Sequence, residues 1–422
     1  MGTQNSISQG KANLWLMISS LRKIHYSWVV LAAVCGLAFS NSVASLNVLT
    51  VFFLPMSDEF LWNRTQISGA ASLGALLGAG VAVVTGRILD QTGPRVILAI
   101  GALITTISMI ALSQISAIIA FYIFYGAARV SDQGFIQAVS PSIIAKWFDR
   151  NSGMAVSVLF AVTALGGVLL PLISQASIEE FGWRFGWLVL GLLMFLVGAL
   201  PVILFVRSPT DLHENDSDEV ESGNFTFPEF SLSEVLHTKE YWFLTTTVFA
   251  TGIATAGIGL HIVPFLVGQG LNPEEAVATV SVRFIASAIG GLIGGVLADR
   301  YTPRLLILTA ISVRAFSIAL LIFADTFFKA VFSGALGGIS DGIQSTVLVL
   351  LLVSYFGKNN VGGIYGVNRA AAVLGFSAGP MIAGIGFDVT GSYNYIFCGF
   401  LLLTILSIGL VFSANRTFPA VR

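Results

Sequence analysis

Charge is scarce in this chain. Asp, Glu, Lys and Arg make up 10% of its 422 residues, where a soluble protein carries roughly 25%. That excludes an ordinary solvated globule. The charges nearly cancel, at a net −1, so there is no basic surface for nucleic acid. Cysteine is almost missing. Cys35 and Cys398 both sit in apolar runs, which excludes a disulfide framework and a CxxC metal or redox site. No Walker A or HExxH pattern occurs, and the sequence predicts no nucleotide-driven motor, no enzyme, no cofactor and no metal. What abounds is apolar bulk: 55% hydrophobic residues, 32 Phe and 44 Gly, with a mean hydropathy of +0.86.

A hydrocarbon core needs about 20 mostly apolar residues per helix. Twelve such runs are predicted, at 28–53, 65–86, 95–113, 117–145, 153–176, 185–206, 241–268, 275–296, 305–324, 328–354, 362–386 and 393–413. The first follows a polar stretch, is too long for a signal sequence and lacks a cleavage site, so it reads as a mature helix. The fold class is thus an all-α polytopic membrane protein. Lys and Arg set its orientation. With both termini in the cytoplasm, 14 of the 21 fall on the inside, only Arg64, Arg184 and Lys329 outside, and 4 within spans. The plasma (inner) membrane is the expected location, and a monomer the expected state.

The chain divides into a cytoplasmic segment 1–27, a six-helix bundle 28–206, a polar, acidic linker 207–240, a second six-helix bundle 241–413 and a tail 414–422. Phe230–His237 is expected to form a short surface helix. The halves repeat each other at an offset of 209. Gly86, Asp90, Pro94 and Arg95 match Gly295, Asp299, Pro303 and Arg304. Ser131-Asp132 matches Ser340-Asp341, Pro171 matches Pro380, and Gly182 matches Gly391. A series in register means duplication.

Two parallel six-helix halves joined by a linker form a transporter architecture with a two-fold axis along the membrane normal. The loop motif and this repeat resemble the major facilitator superfamily, over nearly the whole chain. The loop pattern G-x-L-x-D-x-x-G-x-R appears as Gly86, Leu89 one place along, Asp90, Gly93 and Arg95, with Thr302 at the second Gly of the second copy. The resemblance implies that Gly86, Asp90, Gly93, Arg95, Asp299 and Arg304 gate the cytoplasmic helix ends; the alternative is that they only set orientation. Tyr26-Ser-Trp28, Glu59 to Ser68, His261-Ile-Val-Pro264, Gly363-Ile-Tyr365-Gly366 and Asp388-Val-Thr-Gly391-Ser392-Tyr393 look like the monocarboxylate porter and oxalate/formate antiporter branch. That branch commonly carries an Arg about eight residues before the second loop Asp. Here the position is Gly291, and Arg283 lies two turns earlier on roughly the same face.

Six charges fall inside the spans: Arg129, Asp132, Arg283, Arg314, Asp341 and Arg369. Unpaired, they oppose insertion by about 15–20 kcal/mol in total. Such groups are functional candidates by default. Arg129 and Asp132 are i, i+3 and share a helix face, either as a structural pair or in proton coupling. Arg314 is expected to pair with Asp341, although Asp341 with Gln344 on a central helix has the cavity as an alternative. Arg283 and Arg369 then remain, and an Arg fork binds a carboxylate bidentately. Arg369 has a competing role, snorkelling toward its helix end. His261 fits a proton relay or a carbonyl-bonded core histidine. Ser40 and Asn47 are seven apart on one predicted face, so Asn41 and Asn47 line the pathway or join helices. Tyr365 lies one turn before Arg369. The expected function is secondary active transport of a small organic anion by proton symport or anion exchange, with the lipid bilayer as surroundings. The alternatives are a proton-driven sugar or drug carrier, or a non-transporting receptor.

Overall fold

The computed structural model describes residues 26–148, 152–206, 232–298, 300–356 and 361–414. Among them are twelve membrane helices. These are α1 (Tyr26–Phe60), α2 (Arg64–Thr92), α3 (Pro94–Leu112), α4 (118–147), α5 (Ser152–Phe181) and α6 (Trp183–Phe205), then α7 (Lys239–Gly268), α8 (Pro273–Ala298), α9 (Pro303–Ile322), α10 (Phe327–Phe356), α11 (Val361–Thr390) and α12 (Tyr393–Ser413). Eleven are long and apolar enough to cross a membrane on composition alone. The exception, α4, carries Arg129, Asp132, Gln133 and Gln137. The short helix anticipated in the linker covers Leu232–Leu236. The rest of the acidic linker, to residue 231, lies outside the described residues.

Connections are short because neighbouring helices run antiparallel. Gly93 alone separates α2 from α3; its φ of 75° is a left-handed conformation that glycine adopts freely. Gly182 does the same between α5 and α6, at φ 84°. Pro94 and Pro303 open the next helices, where a missing N–H costs nothing. The chain therefore threads from face to face. We call the face bearing Tyr26 and Ala414, the outermost described residues, the terminal face and the other the far face.

Packing repeats between the halves. Within the first, α4 packs on α2 and α3, and α5 on α1 and α6; within the second, α10 packs on α8 and α9, and α11 on α7. Between the halves α2 packs on α11, α5 on α8 and α1 on α7, a pattern that maps onto itself when the halves are exchanged. Small residues make the seams close. Gly166 of α5 packs on the Phe39 carbonyl of α1, and its repeat mate Gly375 of α11 on the Phe249 carbonyl of α7. Gly290, Gly338 and Gly342 let α8 and α10 touch backbone to backbone.

Two helices depart from regular geometry. In α1 a tighter 3₁₀ turn at Ser42–Ala44 is followed by extended backbone at Ser45 (ψ 159°) before the helix resumes at Leu46. The seven-residue spacing of Ser40 and Asn47 thus does not run through one helix, and the shared face expected for them is absent. Ser40 is buried and returns its hydroxyl to the Gly36 carbonyl at 2.8 Å, whereas Asn47 is half-buried. In α4 the residues Asp132–Ile136 form a π turn.

The apolar core is continuous across the halves only in part. One cluster contains the buried side chains of the first half together with far-face residues of the second, such as Val263, Phe265, Val280 and Phe397. The terminal-face part of the second half, with Tyr241, Leu306, Val347 and Phe356, forms a separate cluster. The halves are joined at the far face.

Candidate functional site

The intramembrane charges gather into one network in each half. On α4, Arg129 Nη1 donates to Asp132 Oδ2 at 2.8 Å and to the Ala44 carbonyl at 3.3 Å. That carbonyl lies at the break in α1, and it also accepts from the Tyr125 hydroxyl at 3.2 Å. Asp132 Oδ1 accepts from Asn41 Nδ2 at 2.6 Å and from Gln137 Nε2 at 2.8 Å. The π turn brings Gln137 back to Asp132 five residues earlier, a reach that matches its i→i+5 geometry. Arg129 and Asp132 are buried, so their cost is offset only by these partners, and Arg129 Nε is left without a hydrogen bond among the described residues. Asn41, expected either to line the pathway or to join helices, is buried and joins α1 to α4 through Asp132.

In the second half Asp341 is the hub. Arg283 donates to its Oδ2 from Nε at 3.1 Å and Nη2 at 2.8 Å. Arg314 donates to its Oδ1 and to the Thr255 hydroxyl. Gln344 Oε1 accepts from Arg314 at 3.2 Å, and its amide donates to Thr251 at 2.8 Å. The Arg314–Asp341 pair forms as expected. The assignment of Arg283 as a residue without an acidic partner is corrected: one carboxylate holds both guanidinium groups. The reason is the α8–α10 crossing, where Gly338 packs directly on the Arg283 backbone. No spacing along α8 alone shows that approach. The repeat makes it legible afterwards. Arg283 stands 209 residues after Gly74, and Gly338 stands 209 after Arg129. Gly74 packs under the Arg129 side chain, so each half sets one arginine against one glycine, from opposite helices.

Arg369 differs. It lies on α11 with an exposed side chain and no ion pair among the described residues. Three arginines thus share two aspartates and Arg369 stands apart, which leaves two positive charges in excess among these six groups. The Tyr365 backbone is helical, but its side chain lies outside the described residues. Asn47 faces Gly259 of α7.

His261 is buried on α7. Its Nε2 lies 3.1 Å from the Pro380 carbonyl and 3.0 Å from the Ser68 hydroxyl, and Nδ1 lies 2.9 Å from the Tyr393 hydroxyl. A carbonyl only accepts, so in the neutral ring Nε2 carries the proton and Nδ1 accepts from Tyr393. Through Ser68 the histidine joins α7 to the other half, with α11 and α12 as its further partners.

At the terminal face the motif residues fall on equivalent bonds. Arg95 of α3 donates to the Ile203 carbonyl of α6 at 2.7 Å, and Arg304 of α9 donates to the Phe412 carbonyl of α12. Ile203 and Phe412 are themselves 209 apart. Gly86 and Asp90 are helical in α2, with side chains outside the described residues. Asp299 lies outside them altogether.

The profile of the Major Facilitator Superfamily matches residues 30–282 and 263–421. Among curated proteins, monocarboxylate transporter 12 of Mus musculus is 24% identical over 415 residues, covering 90% of this chain and 83% of that protein. Monocarboxylate transporter 2 of Homo sapiens is 21% identical, with the same 90% and 83% coverage. Among solved structures, a bacterial homolog of the human lysosomal transporter Spinster, inward-facing and unoccupied, superposes with a TM-score of 0.74 at 16% identity, covering 94% of this chain and 99% of that one. A mutant of the nucleoside transporter NupG gives 0.75 at 12% identity, with 92% and 100% covered.

Proposed function

Because the chain belongs to the Major Facilitator Superfamily, and is thus a multi-pass membrane transporter, we propose that its solute is a small organic anion of the monocarboxylate class. The observation that carries this reading is the charge excess: four intramembrane arginines against two aspartates, with Arg369 exposed and unpaired among the described residues. A cation inside a membrane protein is tolerable beside water or a counter-ion, and a carboxylate matches the guanidinium fork. The names of the relatives point to the same class of solute.

In this reading Arg369 makes the primary contact and Tyr365 lies one turn away. Arg283 shares its charge between Asp341 and the solute, while Asn47 lines the path and Asn41 holds Asp132 in place. Anion binding between the halves favours the closed, loaded form and so couples binding to the change of access. Asp132 with Arg129, Asp341 with Arg314, and His261 are the groups that carry coupling. The loop residues Gly86, Asp90, Gly93, Arg95, Asp299 and Arg304 gate the terminal face, which is cytoplasmic. The protein works as a monomer in the plasma membrane.

Uptake of labelled monocarboxylates into proteoliposomes tests this. Saturable uptake is expected, driven by a pH gradient for symport or by a preloaded anion for exchange. Arg369→Gln is expected to abolish saturation. Arg369→Lys should keep uptake at weaker affinity, since it retains charge but loses the planar fork. Unchanged affinity in Arg369→Gln, or uptake of a neutral sugar in place of the anions, removes the proposal.

A further inference from the structure

The start of α2 is capped from the other half of the molecule. The first N–H groups of a helix have no partner within it. At α2, Asn63 Oδ1 accepts from the Gln66 N–H at 2.8 Å. The two groups before it, the Arg64 and Thr65 N–H, donate to the Asp388 carboxylate of α11, at 3.0 and 2.8 Å. The Thr65 hydroxyl adds a third bond to Asp388, at 2.6 Å. The Arg64 guanidinium lies over the Phe53 ring of α1 at 5.0 Å and the Phe387 ring of α11 at 5.3 Å. One turn nearer the membrane centre, Gly384 packs against the Arg64 carbonyl. Below that come Ser68 and His261. This is a polar seam at the far face, where the two halves are joined.

The repeat supplies its own comparison. The equivalent seam joins α5 to α8, and there Asp388 and Arg64 become Glu179 and Pro273. Proline has no N–H to offer. The Asn272 N–H is met by Glu275 of α8 itself at 3.1 Å. Glu179 accepts instead from Gln175 on its own helix. The α5–α8 seam is closed mainly by packing, with Phe284 against Gly167 and one bond from the Ser281 hydroxyl to the Val168 carbonyl at 2.8 Å.

We propose that Asp388 is the latch of the far face, and that this latch exists on the α2–α11 seam alone. Opening the far face parts one carboxylate from two backbone donors and a hydroxyl, and the Arg64 guanidinium from the Phe387 ring. The α5–α8 seam parts at no comparable polar cost. The inference concerns the change of access and stands whichever solute is carried.

The test uses the full chain in lipid nanodiscs, with Cys35 and Cys398 replaced by Ser and nitroxide labels on Leu61→Cys and Tyr395→Cys. Pulsed dipolar spectroscopy reads the distance across the α2–α11 seam at the far face. Asp388→Ala is expected to raise the ratio of open to closed populations at least tenfold. Thr65→Val removes one of three bonds, so it should shift the ratio the same way by less. Glu179→Ala, at the equivalent place, should leave it unchanged. If Asp388→Ala does not give monodisperse protein, Thr65→Val decides. An unchanged distribution in the Asp388 or Thr65 variants, or an equal shift in Glu179→Ala, overturns the latch.

Discussion

Asp341 does more electrostatic work than its repeat mate. Two guanidinium groups depend on it, whereas Asp132 neutralises one arginine and has amide partners besides. Removing one member of a buried pair typically costs about 3–5 kcal/mol, because the other is left uncompensated. Asp341→Asn strands two cations, so its thermal midpoint should fall further than that of Asp132→Asn. Adding Arg314→Gln to Asp341→Asn removes one stranded charge and should recover part of the loss. Thermal unfolding of the purified proteins, followed by tryptophan fluorescence, checks the order; equal losses, or no recovery in the double variant, refute this account. The six charges were visible as residues out of place in apolar runs. Their pairing was visible for Arg129 with Asp132 on one helix and for Arg314 with Asp341 on adjacent helices. Arg283 meets Asp341 across 58 residues of chain, and periodicity within α8 carries no trace of that contact.

Helix spacing was legible where helices are regular and failed where they are not. The break in α1 separates Ser40 from Asn47, and the π turn in α4 sets Gln137 where regular spacing does not put it. Neither break is marked by proline at its centre, so the sequence offers no signal for it. The glycine stripes are a mixed case. Their spacing announces close packing, but not which glycine meets the neighbour. On α8 a methyl group at Gly290 lands on the Ile339 backbone of α10, which has no room to yield, whereas at Gly291 the nearest atom is the Thr346 hydroxyl at an ordinary 3.4 Å. Gly290→Ala should therefore destabilise by about 1–3 kcal/mol through overpacking. Gly291→Ala should stay within about 0.5 kcal/mol of the parent. Melting temperatures of the two variants separate the readings; identical values mean that the α8–α10 seam adjusts freely.

At the scale of the molecule, the bias of Lys and Arg predicts that the terminal face is cytoplasmic. In a chain with Cys35→Ser and Cys398→Ser, an impermeant maleimide should label Phe328→Cys, at the far face, in intact cells. It should reach Ser217→Cys in the linker only after permeabilisation. Labelling in the reverse pattern inverts the topology. The count of spans, the duplication at 209 residues and this charge bias follow from the sequence by itself. Each is a sum of local terms: transfer of about 20 apolar residues, similarity at a fixed offset, and the side on which cations stay. The sharing of Asp341 by two arginines, the joining of the halves at the far face and the capping of α2 by Asp388 were decided only by the tertiary structure. They depend on how each helix is rotated about its axis and how closely the glycine seams let neighbours approach. A hydrophobic run is nearly blind to rotation, since lipid and packed side chains are almost equally apolar solvents for it.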